Sequence, residues 1–225
     1  FRPEPAPPLT STKYAREYDE VKRLGSLTST DRTAAQTDLA RYWGSLFTPI
    51  LHGGLRAIVD AHVPDIGDRA RLFALVTIAV ADSQIAVYET KYHYNFWRPI
   101  TAIQEGDNDG NPSTVGEPTW VPFITTPPYP DHSSGANNIS GSFLGMLRLF
   151  FHTDRFEFSL TSPVAGLLTN PRQYTRFSQV EDEIVDVRIF QGIHFRTADA
   201  EGRQQGERIA HWVFQRFLRP LPGKK

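Results

Sequence analysis

Three separated segments of the chain carry groups that can bind or attack an oxyanion. Together they supply three cations, a serine, a glycine and a histidine, namely Lys91, Arg98, Arg188, Ser134, Gly135 and His194. Guanidinium groups offer planar, forked donors to an oxyanion, and a lysine offers a point charge. A Ser-Gly pair that opens a helix adds free N–H groups and a favourable dipole. If the segments converge, they form a pocket for a tetrahedral, multiply charged oxyanion, with the histidine as metal ligand or nucleophile.

Each of these residues alone also has a purely structural explanation. Lys91 and Arg98, near a helix end, can serve the helix dipole and solvent, and Ser134 can be only an N-cap. Arg188 can pair with a carboxylate on its own helix, and His194 can be a core histidine with satisfied hydrogen bonds. The order and spacing of the whole set therefore carry more weight than any single residue.

Composition narrows the class of protein. The chain has 225 residues, 24 Lys and Arg against 25 Asp and Glu, and a formal net charge of -1, which argues against general affinity for nucleic acid or an anionic membrane. It has no cysteine, which excludes disulfides, thiolate metal sites and a cysteine nucleophile. The absence of an uninterrupted apolar run of about 18 residues predicts no membrane span. The proline-rich start without methionine looks processed, which favours a secreted or periplasmic location.

The pattern of apolar residues predicts a mostly helical single domain. Residues 1–12 are expected to form a disordered or draping arm, and residues 13–225 one helical domain. The longest apolar-rich segment, from about 65 to 96, is predicted to be a buried central helix because of its length and alanine content. Residues 105–133 hold most of the turn formers and are expected to form a long loop. A helix from Ser134, a short hairpin and two further helices complete the chain.

The order and spacing of the three segments resemble those of the vanadium-dependent haloperoxidases and the related type-2 phosphatidic acid phosphatase superfamily. The segments are a lysine, six residues and Arg-Pro; a Ser-Gly helix start; and an arginine, five residues and a histidine. The similarity spans roughly residues 85–215, and GIHFRTADAEG looks like the bacterial branch of the family. The resemblance implies an all-α helical bundle of the haloperoxidase and acid phosphatase type, with vanadate as cofactor or phosphate in the same site.

The resemblance also implies a role for each residue. The three cations would hold the equatorial oxygens of vanadate or phosphate, Ser134 would donate its hydroxyl, and Gly135 would donate its backbone N–H. His194 would bond vanadium axially in a haloperoxidase or attack phosphorus in a phosphatase. One pocket suits both reactions, because five-coordinate vanadate mimics the transition state of phosphoryl transfer.

The second segment departs from the family pattern. The family has Pro-Ser-Gly-His, whose histidine is the acid–base group, and this chain has Ala136 in its place. General acid–base catalysis is worth about 10²–10⁴-fold, so the departure predicts a slow, altered or absent reaction. His132 is the candidate replacement for the acid–base group. The family often has an aspartate four residues after the third-segment histidine, and Asp199, five residues after His194, is the candidate orienting partner.

Three functions are consistent with these residues and with the resemblance. The first is a vanadium-dependent haloperoxidase, which would oxidise a halide with hydrogen peroxide. The second is hydrolysis of a phosphate monoester through a phospho-His194 intermediate. Ala136 argues against this function more strongly than against the first, because protonation of the leaving group needs the missing histidine. The third is a non-catalytic oxyanion-binding domain. All three predict small-molecule partners and no nucleic acid, and the oligomeric state stays open, with a dimer as one option.

Overall fold

The computed structural model describes residues 1–44 and 47–219 of the chain. Its architecture is a bundle of α-helices with one small antiparallel sheet, which confirms the predicted all-α class. In chain order the elements are α1 (Thr12–Gly25), α2 (Ala34–Trp43), α3 (Phe47–His62), α4 (Ile66–Tyr94), α5 (Pro99–Gln104), α6 (Gly135–Phe151), β1 (Arg155–Leu160), β2 (Arg172–Arg176), α7 (Phe177–Phe190) and α8 (Arg196–Arg216). The two strands form the predicted hairpin, with Phe158 opposite Tyr174.

Local sequence signals explain where the helices begin and end. At the start of α1 the side chain of Ser11 accepts a hydrogen bond from the amide of Tyr14, and at the start of α4 Asp65 accepts one from the amide of Asp68. Such caps satisfy backbone donors that have no partner within the helix. Helix α4 ends at Asn95, which is in the left-handed region with φ of 47°. The central helix is therefore slightly shorter at its C-terminal end than the sequence predicted.

The core lies where α4, α6, α7 and α8 pack against one another. Its fully buried side chains include Trp43, Leu72, Phe143, Val187 and Val213. Complete burial of a large apolar side chain contributes about 1.5–3 kcal/mol. These are also the helices whose ends carry the predicted site residues, so the core fixes the positions from which those side chains extend.

The predicted long loop, between α5 and α6, is anchored to the body of the bundle. Trp120 is buried, and its Nε1 donates a hydrogen bond to the backbone oxygen of Lys22 at 3.0 Å. The N-terminal arm also lies against the bundle, where the hydroxyl of Tyr94 donates to the carbonyl oxygen of Pro3 at 2.7 Å. The arm lies at the end of the bundle at which α4 stops, and so does the last part of the loop, where Nζ of Lys91 donates to the carbonyl oxygen of Pro130.

Helix α4, with the segment that follows it to Gln104, is long and apolar enough to cross a membrane by length and composition alone. The sequence predicted no such segment, because polar residues interrupt its apolar runs. The core helix of a globular protein meets the same criterion. In this structure α4 packs against α6 and α8 through a buried face that includes Leu72, Leu75 and Val87. This face packs as that of a core helix does, and 33% of the apolar window is buried.

Glycines allow α6 and α8 to touch backbone to backbone. A Cβ atom added at Gly206 would lie 2.1 Å from the carbonyl oxygen of Asn138, and one at Gly202 would lie 2.4 Å from the carbonyl oxygen of Ser134. Both distances are below the 3.0 Å that real Cβ contacts keep. The approach brings the first turns of α8 against the Ser134 turn, where the Ser134 N–H donates to the Ala198 oxygen at 2.8 Å. The helix contact thus positions the start of α6.

We expect the substitution Gly206→Ala to lower the free energy of unfolding by about 1–3 kcal/mol, because the added methyl group overpacks this contact. The matched control is Gly53→Ala on α3, where an added Cβ would meet nothing within 4 Å. There the substitution is expected to raise stability by about 0.5–1 kcal/mol through helix propensity. Urea unfolding of both variants measures the difference. Equal effects of the two substitutions would contradict a backbone contact at Gly206.

Candidate functional site

The structure brings the three predicted segments together at one place in the bundle. Lys91 lies in the last turn of α4, Arg98 is the N-cap of α5, and Arg188 lies in the last turn of α7. His194 lies in the turn between α7 and α8, which Gly192 makes possible with φ of 76°. The three cations and the histidine are all buried, with 0–7% of each residue exposed. Burial of this much positive charge is costly unless something compensates it.

A cavity of about 200 Å³ lies where these segments meet, and Lys91, Arg188, Gly135 and Ala136 are among the residues that line it. Gly135 and Ala136 are the first residues of α6, so their N–H groups have no partner within the helix. Across the described residues, no acceptor outside the helix contacts the amides of 135–137 either. The helix start therefore presents free donors and the positive end of its dipole to the cavity.

Two guanidinium groups keep buried donors that have no partner among the described residues. Arg188 donates from Nη1 to Oε1 of Gln191 at 2.5 Å, whereas its Nε is unpaired. Arg98 donates from Nε to the carbonyl oxygen of Tyr129 at 2.7 Å, whereas its Nη2 is unpaired. A buried N–H without an acceptor costs about 1–3 kcal/mol. The unpaired donors, the lysine and the free amides fit a bound oxyanion, which would satisfy them and offset their charge.

Lys91 is held against the turn that precedes α6. Its Nζ donates to the carbonyl oxygens of Pro130 and Asp131, both at 2.9 Å, which leaves one of its three N–H donors. Burial and then the nearby charge of Arg98 lower the pKa of Lys91 to about 7, against the attraction of Asp131, which raises it. Burial also raises the pKa of the Asp131 carboxyl group. The net charge of the cluster therefore changes near neutral pH.

We expect the affinity for a doubly charged oxyanion to be about tenfold weaker at pH 9 than at pH 6. Below pH 7 Lys91 carries its proton, and above it that charge is lost while Asp131 gains a negative charge, so both changes weaken binding. Sulfate is the appropriate probe, because its own charge is constant over this range, and calorimetry measures its dissociation constant. In Lys91→Met, binding should be weaker throughout and less dependent on pH. A constant affinity of the native chain would contradict the expectation.

Asp131 lies against His194, a contact that the sequence did not predict. Oδ1 of Asp131 is 2.7 Å from Nδ1 of His194, although the contact lacks the angle of a full hydrogen bond. The same carboxyl group lies 3.6 Å from Nη1 of Arg98 and accepts a long hydrogen bond from the amide of Phe195 at 3.5 Å. Burial and then the charge of Arg98 lower the pKa of His194 well below its ordinary value. The imidazole is therefore neutral at neutral pH.

The contacts of the imidazole favour one tautomer. Nδ1 faces the carboxyl group of Asp131, and Nε2 lies 3.1 Å from Nη1 of Arg98, which can only donate. The same Nη1 also lies 3.4 Å from Nδ1, so the shorter contact of Nδ1 with the Asp131 carboxyl group is what favours the proton on Nδ1 and the lone pair on Nε2. A histidine in this form is suited to bond a metal or to attack an electrophile through Nε2.

Asp199 faces the start of α6 instead of His194. Its Oδ1 accepts a hydrogen bond from Nδ2 of Asn137 at 2.8 Å, and the carboxyl group lies near Ser134 and Arg188. The predicted role as orienting partner of His194 is not supported by this position. The physical reason is the extra residue before Asp199, because one residue turns a helix position by about 100°. Burial raises the pKa of Asp199 well above its ordinary value.

His132 is held by the N-terminal arm. Its Nε2 lies 2.8 Å from the carbonyl oxygen of Glu4, and its ring meets the edge of Tyr94 at 5.3 Å between centroids. His132 is fully buried, and it is not one of the described residues that line the cavity. This position argues against the predicted acid–base role, because a proton donor has to reach the reacting oxygen directly or through one water molecule.

Ser134 occupies the predicted place but directs its hydroxyl away from solvent. It is the N-cap of α6 without capping the helix with its side chain, and its Oγ accepts a hydrogen bond from Nδ2 of Asn137 at 3.3 Å. The Ser134 hydroxyl and the Asp199 carboxyl group therefore belong to one buried polar network at the helix start. This network fixes the turn that carries Gly135.

Comparison with known proteins agrees with this arrangement. Residues 71–223 match the family described as the VCPO second helical-bundle domain. The vanadium chloroperoxidase of Curvularia inaequalis is 29% identical over 170 residues, which cover 60% of this chain and 27% of that protein. A bacterial vanadium-dependent iodoperoxidase superposes with a TM-score of 0.76 at 25% identity, covering 95% of this chain and 52% of that one.

A second solved structure shows the likeness of fold alone. An apo-type bacterial vanadium-dependent chloroperoxidase superposes with a TM-score of 0.76 at 17% identity, over 96% of this chain and 52% of that one. The chain thus spans about half the length of these solved relatives and about a quarter of the curated one. Because the family match covers more than half of the chain and the structural neighbours agree with it, the chain belongs to the VCPO second helical-bundle domain family, in the vanadium haloperoxidase superfamily.

Proposed function

We propose that the chain binds vanadate, or phosphate in the same place, and that the vanadate-bound form oxidises halides with hydrogen peroxide. The observation that carries the proposal is the pair of buried, unpaired guanidinium donors beside a neutral histidine. Nε of Arg188 and Nη2 of Arg98 have no partner within the described part of the chain, and Nε2 of His194 is adjacent to Arg98. Relatives named as vanadium chloroperoxidase and iodoperoxidase support vanadate as the ligand.

Different residues neutralise the charge of the oxyanion, donate hydrogen bonds to it and bind the metal. Lys91, Arg98 and Arg188 offset its charge, and the N–H groups at the start of α6 donate to its oxygens. His194 would supply Nε2 as the protein ligand, and Asp131 keeps the proton on Nδ1 so that the lone pair is on Nε2, where it faces Nη1 of Arg98 in this structure. Bound vanadium supplies Lewis-acid activation of hydrogen peroxide, which is reduced to water as the halide is oxidised to a hypohalous acid. Low exposure of the cations strengthens each of these interactions.

Ala136 limits the reaction that this site supports. Its side chain lines the cavity beside Gly135 but has no proton to transfer. Because His132 contacts the arm, the described structure offers no histidine in its place at the cavity wall. The proposed halide oxidation is accordingly slow. The same observation favours a second candidate function, a non-catalytic oxyanion-binding domain.

One set of measurements tests the proposal. Calorimetry measures the binding of orthovanadate to the purified chain, and the oxidation of bromide by peroxide is then assayed at saturating vanadate. We expect vanadate binding with slow oxidation above the rate of free vanadate, and loss of both in His194→Ala. Vanadate binding without oxidation would establish the non-catalytic alternative. Absence of any vanadate or phosphate binding would contradict both. Hydrolysis of a chromogenic phosphate ester that depends on His194 would show a phosphatase instead.

A further inference from the structure

The cavity beside Ala136 has two chemically different ends. One end carries Lys91, Arg188 and the N–H groups at the start of α6, which form the seat for an oxyanion. The other residues that line the cavity include aromatic and aliphatic side chains, namely Phe47, Val87, Tyr88, Tyr129 and Ile139. A bare inorganic ion gains little from contact with such side chains, whereas an organic group on the ion would bury apolar surface against them.

The aromatic wall is held in place by its neighbours. The rings of Tyr88 and Tyr129 meet edge to face, with centroids 5.5 Å apart and an interplanar angle of 72°. The Tyr129 ring also packs against the seat itself, with Nζ of Lys91 at 5.2 Å and Cζ of Arg98 at 4.9 Å from its centroid. These cation–π contacts join the apolar end of the cavity to the charged end. A ligand that reaches one end must therefore lie beside the other.

On the other side of the cavity, Arg188 links the seat to the wall in the same way. Its guanidinium carbon lies 4.9 Å from the centroid of the Phe47 ring, while its Nε faces no acceptor among the described residues. Between these walls lies residue 136, and an alanine there leaves the space that the family's histidine would take. The cavity of about 200 Å³ exceeds the roughly 150 Å³ that accommodates benzene in an engineered apolar cavity.

We propose that this site takes a tetrahedral oxyanion that carries an aryl group, such as an aryl phosphate or arylphosphonate. The oxyanion lies on the seat of Lys91, Arg188 and the α6 amides, and the ring lies beside Ala136 against Tyr88 and Tyr129. This inference rests on the proposed function for the oxyanion seat and adds the chemical class of the organic group. Ala136, which cannot transfer a proton, would in this way help to select the ligand.

Calorimetric titrations with three probes test the proposal, namely phenylphosphonate, methylphosphonate and inorganic phosphate. The phosphonates are chosen because their carbon–phosphorus bond is not hydrolysed during the titration. Burial of a ring should make phenylphosphonate bind about tenfold or more tightly than methylphosphonate. A ratio near one together with measurable phosphate binding would overturn the aryl site and leave the oxyanion seat standing. Absence of binding by all three probes would overturn the proposed function itself.

Two variants test whether the ring lies where we place it. Ala136→Leu fills the space, and Tyr88→Ala removes one wall at a residue that is 39% exposed. Each should lower the ratio of phenylphosphonate to methylphosphonate affinity toward one. Ala165→Leu, in the exposed loop between β1 and β2, is the matched control and should keep the native ratio. If phenylphosphonate still bound about tenfold more tightly than methylphosphonate in both site variants, the proposal would be overturned.

Discussion

Replacing Ala136 with histidine is expected to raise the rate of halide oxidation by about 10²–10⁴-fold. The substitution returns an acid–base group to the first turn of α6, beside the free N–H groups and opposite Lys91 and Arg188. The cavity offers room for the imidazole, since Ala136 lines it directly. Initial rates of bromide oxidation at saturating vanadate, measured from pH 5 to 8, compare the variant with the native chain.

The matched control is Ala136→Gln, which has a similar size but cannot transfer a proton at neutral pH. It should bind vanadate without the gain in rate. The histidine variant should also lose part of the preference for phenylphosphonate, because the imidazole takes the space assigned to the ring. An unchanged rate in Ala136→His with intact vanadate binding would contradict the view that the missing proton donor limits this site.

The second large effect is expected from Asp131→Asn. Vanadate affinity should fall by about 10–100-fold, the usual loss when the partner of a metal-binding histidine is removed. Phosphate affinity should not fall in parallel, because the substitution removes a negative charge from beside Lys91 and Arg98. The ratio of vanadate to phosphate affinity therefore distinguishes the effect of Asp131 on the orientation of His194 from its effect on the charge of the site.

Nitrogen NMR of the His194 ring provides a second readout for the same variant. The native chain should show the proton on Nδ1, and Asp131→Asn should populate both tautomers. Asp199→Asn is the control, because Asp199 contacts Asn137 rather than His194. If Asp199→Asn changed the vanadate-to-phosphate ratio as much as Asp131→Asn, the assignment of Asp131 as the positioning residue would be wrong.

The sequence predicts the helices and the cluster of cations well, and the physical reason differs between them. Helices are local, so apolar periodicity and caps such as Asp65 are sufficient to place α4. The cluster of cations joins residues that are far apart in sequence. Its residues lie at helix ends, and the resemblance to a known family was the reason to expect that these ends meet. Lys91 and Arg188 line one cavity. Arg98 and His194 do not line it and lie behind it, where Arg98 contacts the backbone oxygen of Tyr129 and the His194 ring.

The partner of His194 could not be predicted in the same way. Asp131 and His194 are 63 residues apart and meet only because α6 and α8 bring their preceding turns together. The sequence did show a carboxylate, Asp131, in a turn three residues before the N-cap Ser134. Only the fold shows that this carboxylate is buried, and burial is what marks it as a functional candidate. Asp199 was the nearer candidate in sequence, and helix geometry turned it toward Asn137.

The glycine contact between α6 and α8 affects how a survey of all single substitutions should be interpreted. Gly202 and Gly206 have no side chain to take part in chemistry, yet nearly every replacement would push the two backbones apart at Ser134 and Asn138. Such a survey would therefore score both glycines as severely as Arg98 or His194. Yield of folded protein would distinguish the two groups, since it drops for the glycines and holds for the residues that meet the ligand.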